Sequence, residues 1–181
     1  AEAVFSEAIR LGEPEDSVTV AVDARLAWAG RLLDLSRPRE ALAALEPIGE
    51  TQVTPYGRLW VESQRACAQA DIDPKAAAVK IAALNKEREE NPAALSQALI
   101  CSNRLDEAAT LMIERLRDPR HRSGALDPYW VTRGPAKVPA WQAEFERRRQ
   151  LVLNNPTVLA ALDVVGRKVE APLAGDYWGG F

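Results

Sequence analysis

Catalysis by the common routes needs a few residue types at fixed spacing, and this chain holds few of them. His121 is the sole histidine, so a multi-histidine metal site is ruled out. Any Ser-His-Asp or Cys-His relay would have to run through that one imidazole, in the polar, basic turn "RLRDPRHR" (residues 115–122), where we read it as exposed. The two cysteines, Cys67 and Cys101, do not make a disulfide framework in a chain of 181 residues. Both fall in helical patterns and read as reduced, largely buried thiols; the alternative is a thiol-dependent enzyme, in which one of them reacts quickly in the folded state. Asp71 with Asp73, and Glu87 with Glu89 and Glu90, could act as paired carboxylates, but acids at helix ends serve first as caps and solvated charges. The terminal "WGG" lacks the Lys and the following helix of a phosphate-binding loop. The expectation is therefore no catalytic residue, no cofactor and no metal.

Composition narrows the remaining classes. A formal net charge of −3 provides no general field for polyanions, so nucleic acid is not the expected partner. No run reaches the roughly 18 to 20 apolar residues that a membrane-spanning helix needs. The chain holds 31 Ala, which favours closely approaching helices over strands. It begins with Ala and has its only Met at 112, which reads as a start inside a longer open reading frame, or after a removed leader, of a larger, bacterial-looking protein. The compartment, cytoplasmic or periplasmic, and the oligomeric state stay open.

The elements that must position any site are legible as apolar stripes. Val4, Phe5, Ala8 and Leu11 predict a short N-terminal helix that ends at Gly12 and Pro14. A second helix is expected from about Ser17 to Leu35, with Val22, Leu26, Ala29, Leu32 and Leu33 inward. Pro38, suited to a first turn, opens a third with Ala41, Leu42, Leu45 and Ile48 on its stripe. Tyr56, Leu59, Trp60, Ser63, Ala66, Cys67 and Ala70 mark a fourth, and Asp73 caps a fifth with Pro74 at its first position. Leu95, Ala98, Leu99 and Ser102 mark a sixth; Leu105, Ala108, Ala109, Met112, Ile113 and Leu116 mark a seventh. Residues 123–138 lack a period and read as a long connection pinned by Tyr129 and Trp130. Two more helices are expected, one with Trp141, Phe145, Arg148 and Val152 in register, the other with Val158, Leu162 and Val165. After them comes an irregular tail, "PLAGDYWGGF", docking through Tyr177, Trp178 or Phe181.

"RPREALAALEPI" (residues 37–48) and "RLDEAATLMIER" (residues 104–115) share a cadence, with Ala41 and Ala108 lying 67 positions apart. With a further small residue at 76 or 77, that interval is close to two periods of 34. Trp28, Ala29, Leu32, Ala41 and Leu45 form one unit, and Leu95, Ser96, Leu99, Ala108 and Met112 another. Over about residues 20–120 the chain resembles the tetratricopeptide-repeat family. The middle unit departs from the pattern: Trp60 fits, but Gln64 or Arg65 replaces the small residue, and the turn "ADIDP" reads as one residue longer.

The resemblance implies an all-α, right-handed superhelical stack of antiparallel helix pairs, about ten helices in one domain. Its parts would be an N-terminal helix (1–20), three repeat-like pairs (21–122), the long loop (123–138) and a C-terminal capping pair with the aromatic tail (139–181). It also implies a concave face, built by the first helix of each pair, that binds an extended segment or helix of another protein. Outward positions of those helices are Asp34, Arg58, Arg65, Gln69, Gln97 and Cys101, and Arg65, Gln69 and Gln97 suit a peptide backbone or an acidic side chain. The expected function is a non-catalytic protein-interaction module. The alternative is a structural or regulatory segment whose groove is filled by its own loop or tail.

Overall fold

The computed structural model describes residues 2–12, 18–49, 52–133 and 138–174. Among them are ten α-helices: α1 (Glu2–Gly12), α2 (Val18–Asp34), α3 (Pro38–Leu45), α4 (Pro55–Ile72), α5 (Pro74–Lys86), α6 (Pro92–Cys101), α7 (Leu105–Arg117), α8 (Arg122–Leu126), α9 (Ala140–Leu153) and α10 (Pro156–Val165). Five of these helices, α3 to α6 and α10, place Pro in their first turn, where the missing N–H costs no hydrogen bond and the fixed φ suits the helix. Four of the five are also capped by a side-chain oxygen, from Thr54, Asp73, Asn91 and Asn155. Asn91 and Pro92 thus start α6.

Helices adjacent in sequence pack against one another, and the two segments with a shared cadence form the same turn. Ser36 and Asn103 both take positive φ, 57° and 56°. Ser36 N–H donates to Leu33 O and Arg37 N–H to Leu32 O; Asn103 N–H donates to Ile100 O and Arg104 N–H to Leu99 O. This left-handed ending satisfies carbonyls that the helix end would leave orphaned. The following Arg then clamps the Glu three residues on, Arg37 on Glu40 and Arg104 on Glu107. Between α4 and α5 the turn is different, and shorter than expected. Asp73 alone links the helices, ending α4 and accepting from Lys75 N–H and Ala76 N–H at the start of α5.

The apolar side chains form two clusters that share α4. One runs from Leu59 and Ala66 through Ile81, Leu95, Met112 and Leu116 to Val158 and Leu162. The other joins Val22, Leu32, Leu33, Ala41 and Leu45 to Val61 and Cys67. Helix α6 is apolar nearly all round and is buried accordingly. Its Ser96 and the neighbouring Ser63 are polar yet buried, and each is hydrogen-bonded: Ser63 Oγ donates to Ala94 O at 2.7 Å, and Ser96 Oγ accepts from Arg115.

Several expectations are corrected. Cys67 and Cys101 are not free thiols; they form a disulfide between α4 and α6, with Cα atoms 5.1 Å apart. Val4, Leu11 and Tyr56, expected inward, are exposed; α1 instead turns Phe5 onto Trp28, with ring centroids 5.1 Å apart. The connection at 123–138 carries structure of its own: α8, a 3-10 turn at Asp127–Tyr129, and strand β1 (Trp130–Arg133). Strand β1 pairs in parallel with β2 (Val169–Ala174), so among the described residues this two-stranded ribbon is the one sheet beside the helices, and the start of the tail is extended. A parallel partner 39 residues away leaves no local period to read, since Trp130 pairs with Val169. Tyr129 does pin the segment, buried with its hydroxyl donating to Leu153 O at 3.4 Å, whereas Trp130 is 65% exposed. Tyr177, Trp178 and Phe181 lie outside the described residues.

Candidate functional site

Of the six side chains expected on a binding face, Asp34, Arg58, Arg65 and Cys101 are engaged with the fold. Asp34 accepts from Arg31 within α2 at 3.1 Å. Arg58 pairs with Glu87 beyond the end of α5. Arg65 donates to Glu62 at 2.6 Å and to the carbonyls of Leu45 and Ile48 at 2.8 and 3.4 Å. A guanidinium there meets carbonyls at the negative end of the α3 dipole. Cys101 is buried in the disulfide, and Gln69 and Gln97 are half-buried.

Glu62 joins α4 to α5 as well, accepting from Lys80 at 2.8 Å. Burial pushes its carboxyl up, but the hydrogen bonds from Lys80 and Arg65 outweigh this and hold it below the usual range.

Helix α9 was expected as half of a capping pair. It packs against α2, α6 and α7, with fewer contacts to its sequence neighbour α10. Trp141 Nε1–H donates to Asp71, near the end of α4, at 3.2 Å. Phe145 stacks beneath Trp141, centroids 5.6 Å apart, and touches both apolar clusters. One turn further, Arg148 donates to Cys101 O, the last residue of α6, at 2.6 Å. Glu144 accepts from Arg148 and Arg147, and these two guanidiniums hold its carboxyl down at about 2. From one α9 face, Trp141 thus reaches the C-terminal end of α4 and Arg148 that of α6, while Phe145 packs against the apolar clusters. Their register was legible as a helical stripe; the surface they meet was not, because Asp71 and Cys101 lie 70 and 47 positions away.

Two larger depressions flank this arrangement. A cavity of ≈ 410 Å³ lies between the α2–α3 turn and the end of α4, lined by Ser36, Arg37, Pro38, Asp71 and Ile72. Another of ≈ 340 Å³ lies over α5, α6 and α7, with Ile81, Leu95, Leu99 and Leu111 as its floor and Arg88 and Glu114 at its rim. Among the described residues, no helix is long and apolar enough to cross a membrane. The chain matches no protein-family model, and neither a curated protein nor a solved structure matches it significantly.

Proposed function

We propose that the chain is a non-catalytic protein-interaction module of the tetratricopeptide-like kind, and that its own α9 lies across the face of the first helices where a partner segment would bind. Recognition is then regulated from within the chain. The observation that carries this reading is the pair of hydrogen bonds from Trp141 and Arg148 to the ends of α4 and α6, with Phe145 of the same α9 face packed on the apolar clusters. The repeat itself is supported by two matching turns 67 residues apart, and by a disulfide joining positions 34 residues apart on consecutive first helices. A right-handed stack of such pairs brings positions one period apart side by side. The disulfide also supports an oxidising compartment as the place of action.

The test is affinity capture with three proteins: the intact chain, a Phe145→Ala, Arg148→Ala variant, and a Gln69→Glu, Gln97→Glu variant. Loosening α9 is expected to increase retention of a protein partner, and the two glutamates are expected to reduce it. Equal retention by all three would move the site off this face. A second reading, α9 as a permanent structural cap, draws on the full burial of Val152 and Leu153 at its end. That reading gains if the α9 variant loses cooperative melting and no partner is retained.

A further inference from the structure

We propose a divalent metal site of the zinc class, formed by Glu89, Asp118 and His121, which lies apart from the α9 face. Glu89 sits in the turn between α5 and α6, Asp118 caps the end of α7, and His121 precedes the first residue of α8. One ligand atom from each lies within 4.8 Å of the others. A tetrahedral ion with bonds of about 2.0–2.2 Å needs its donors roughly 3.4 Å apart. Closing that difference asks for about 1 Å of movement, which the exposed Glu89 side chain supplies.

Two further observations point to an ion and its water. First, Nε2 of His121 is buried and has no hydrogen-bond partner. In the tautomer with its proton on Nδ1, that nitrogen keeps an unused lone pair. Second, the three residues line a cavity of ≈ 40 Å³ together with Arg115, a side chain only 7% exposed whose Nε–H donates to nothing. Three protein ligands leave a fourth position for a water, and once that water ionises on the metal its hydroxide oxygen can accept from Arg115 Nε–H.

The charges around the site are mixed, and they bear on affinity. Arg120 bridges the two carboxylates, at 2.7 Å from Glu89 and 2.6 Å from Asp118, so a cation already occupies the outer side. Arg88, paired with Glu114 at 3.3 Å, also lines the cavity. Arg120 is 66% exposed and can swing out, which leaves three carboxylates facing two guanidiniums. One imidazole and two carboxylates suit zinc and its neighbours in the first transition row better than calcium, which takes oxygen ligands.

Chelator-treated protein, with its disulfide kept intact so that no thiolate competes, is titrated with Zn²⁺ by calorimetry. The expected result is one equivalent bound, not displaced by Ca²⁺. His121→Ala and Glu89→Gln should each weaken binding tenfold or more, and Arg120→Ala should tighten it several-fold. Melting curves without metal identify any variant that does not fold, and Glu89, on an exposed turn, is the substitution least able to disturb packing. No binding, or binding unchanged in both His121→Ala and Glu89→Gln, overturns the proposal.

Discussion

Arginine side chains close three helices of this chain at their C-terminal ends. Arg65 reaches the carbonyls that follow α3, Arg148 the last carbonyl of α6, and Arg122 the carbonyls of Leu116 and Arg117 at the end of α7. Each supplies donors to carbonyls at a helix end and a positive charge to the negative pole of a helix. Arg65 illustrates why a surface arginine is hard to assign from sequence. Its place on the outward stripe is legible, but the carbonyls that consume its donors belong to α3 and the turn after it, which only the fold brings near. Two other residues carry a cost that can be measured. Ser36 and Asn103 hold a left-handed conformation that opposes a Cβ, and Asn tolerates it better than Ser. Ser36→Gly is expected to stabilise the protein by about 1 kcal/mol, read as a higher urea midpoint, with a smaller gain for Asn103→Gly. A lower midpoint for Ser36→Gly would show that the side chain does more in this turn than it costs.

At the scale of elements, the shared cadence is a shared turn. A left-handed residue ends the first helix, Arg clamps a Glu in the first turn of the second, and Ala41 and Ala108 are buried where the two helices cross. Small residues were legible as contact points because nothing larger lets helices approach so closely. The disulfide was not legible. Two cysteines 34 residues apart carry no signal by themselves, and they become neighbours only when α6 lies beside α4. The bond closes a loop of that length in the unfolded chain, so reduction, or Cys67→Ala with Cys101→Ala, is expected to cost about 3–4 kcal/mol. Urea unfolding with and without reductant measures it. Identical curves would mean that packing alone holds α4 against α6.

For the whole molecule, carboxylates held ionised by neighbouring cations make stability depend on acid. Hydrogen bonds from Arg120 and from Arg147 with Arg148 hold Asp118 and Glu144 at about 2, and Glu62 is lowered by Lys80 and Arg65 against its burial. A carboxyl lower in the folded than in the unfolded state stabilises fully above the unfolded value near 4, and that contribution disappears as pH falls through the folded one. Stability should therefore fall steadily from about pH 4 to pH 2. The half-buried Glu62 should carry more of this fall than the exposed pairs, which solvent screens. Glu62→Gln is expected to be less stable at neutral pH and to lose less on acidification; urea midpoints across that range test it, and an unchanged slope would remove Glu62 from the account. Apart from α8, the helices, their prolines at first turns and the recurring interval are properties of the sequence alone, because stripes, caps and turn residues act within a few positions of one another. Tertiary structure decided what those positions could not: the disulfide, the parallel pairing of Trp130 with Val169, and the bonds from α9 to Asp71 and Cys101. Each joins residues between 34 and 70 positions apart, and contacts at that distance are selected by how whole helices pack.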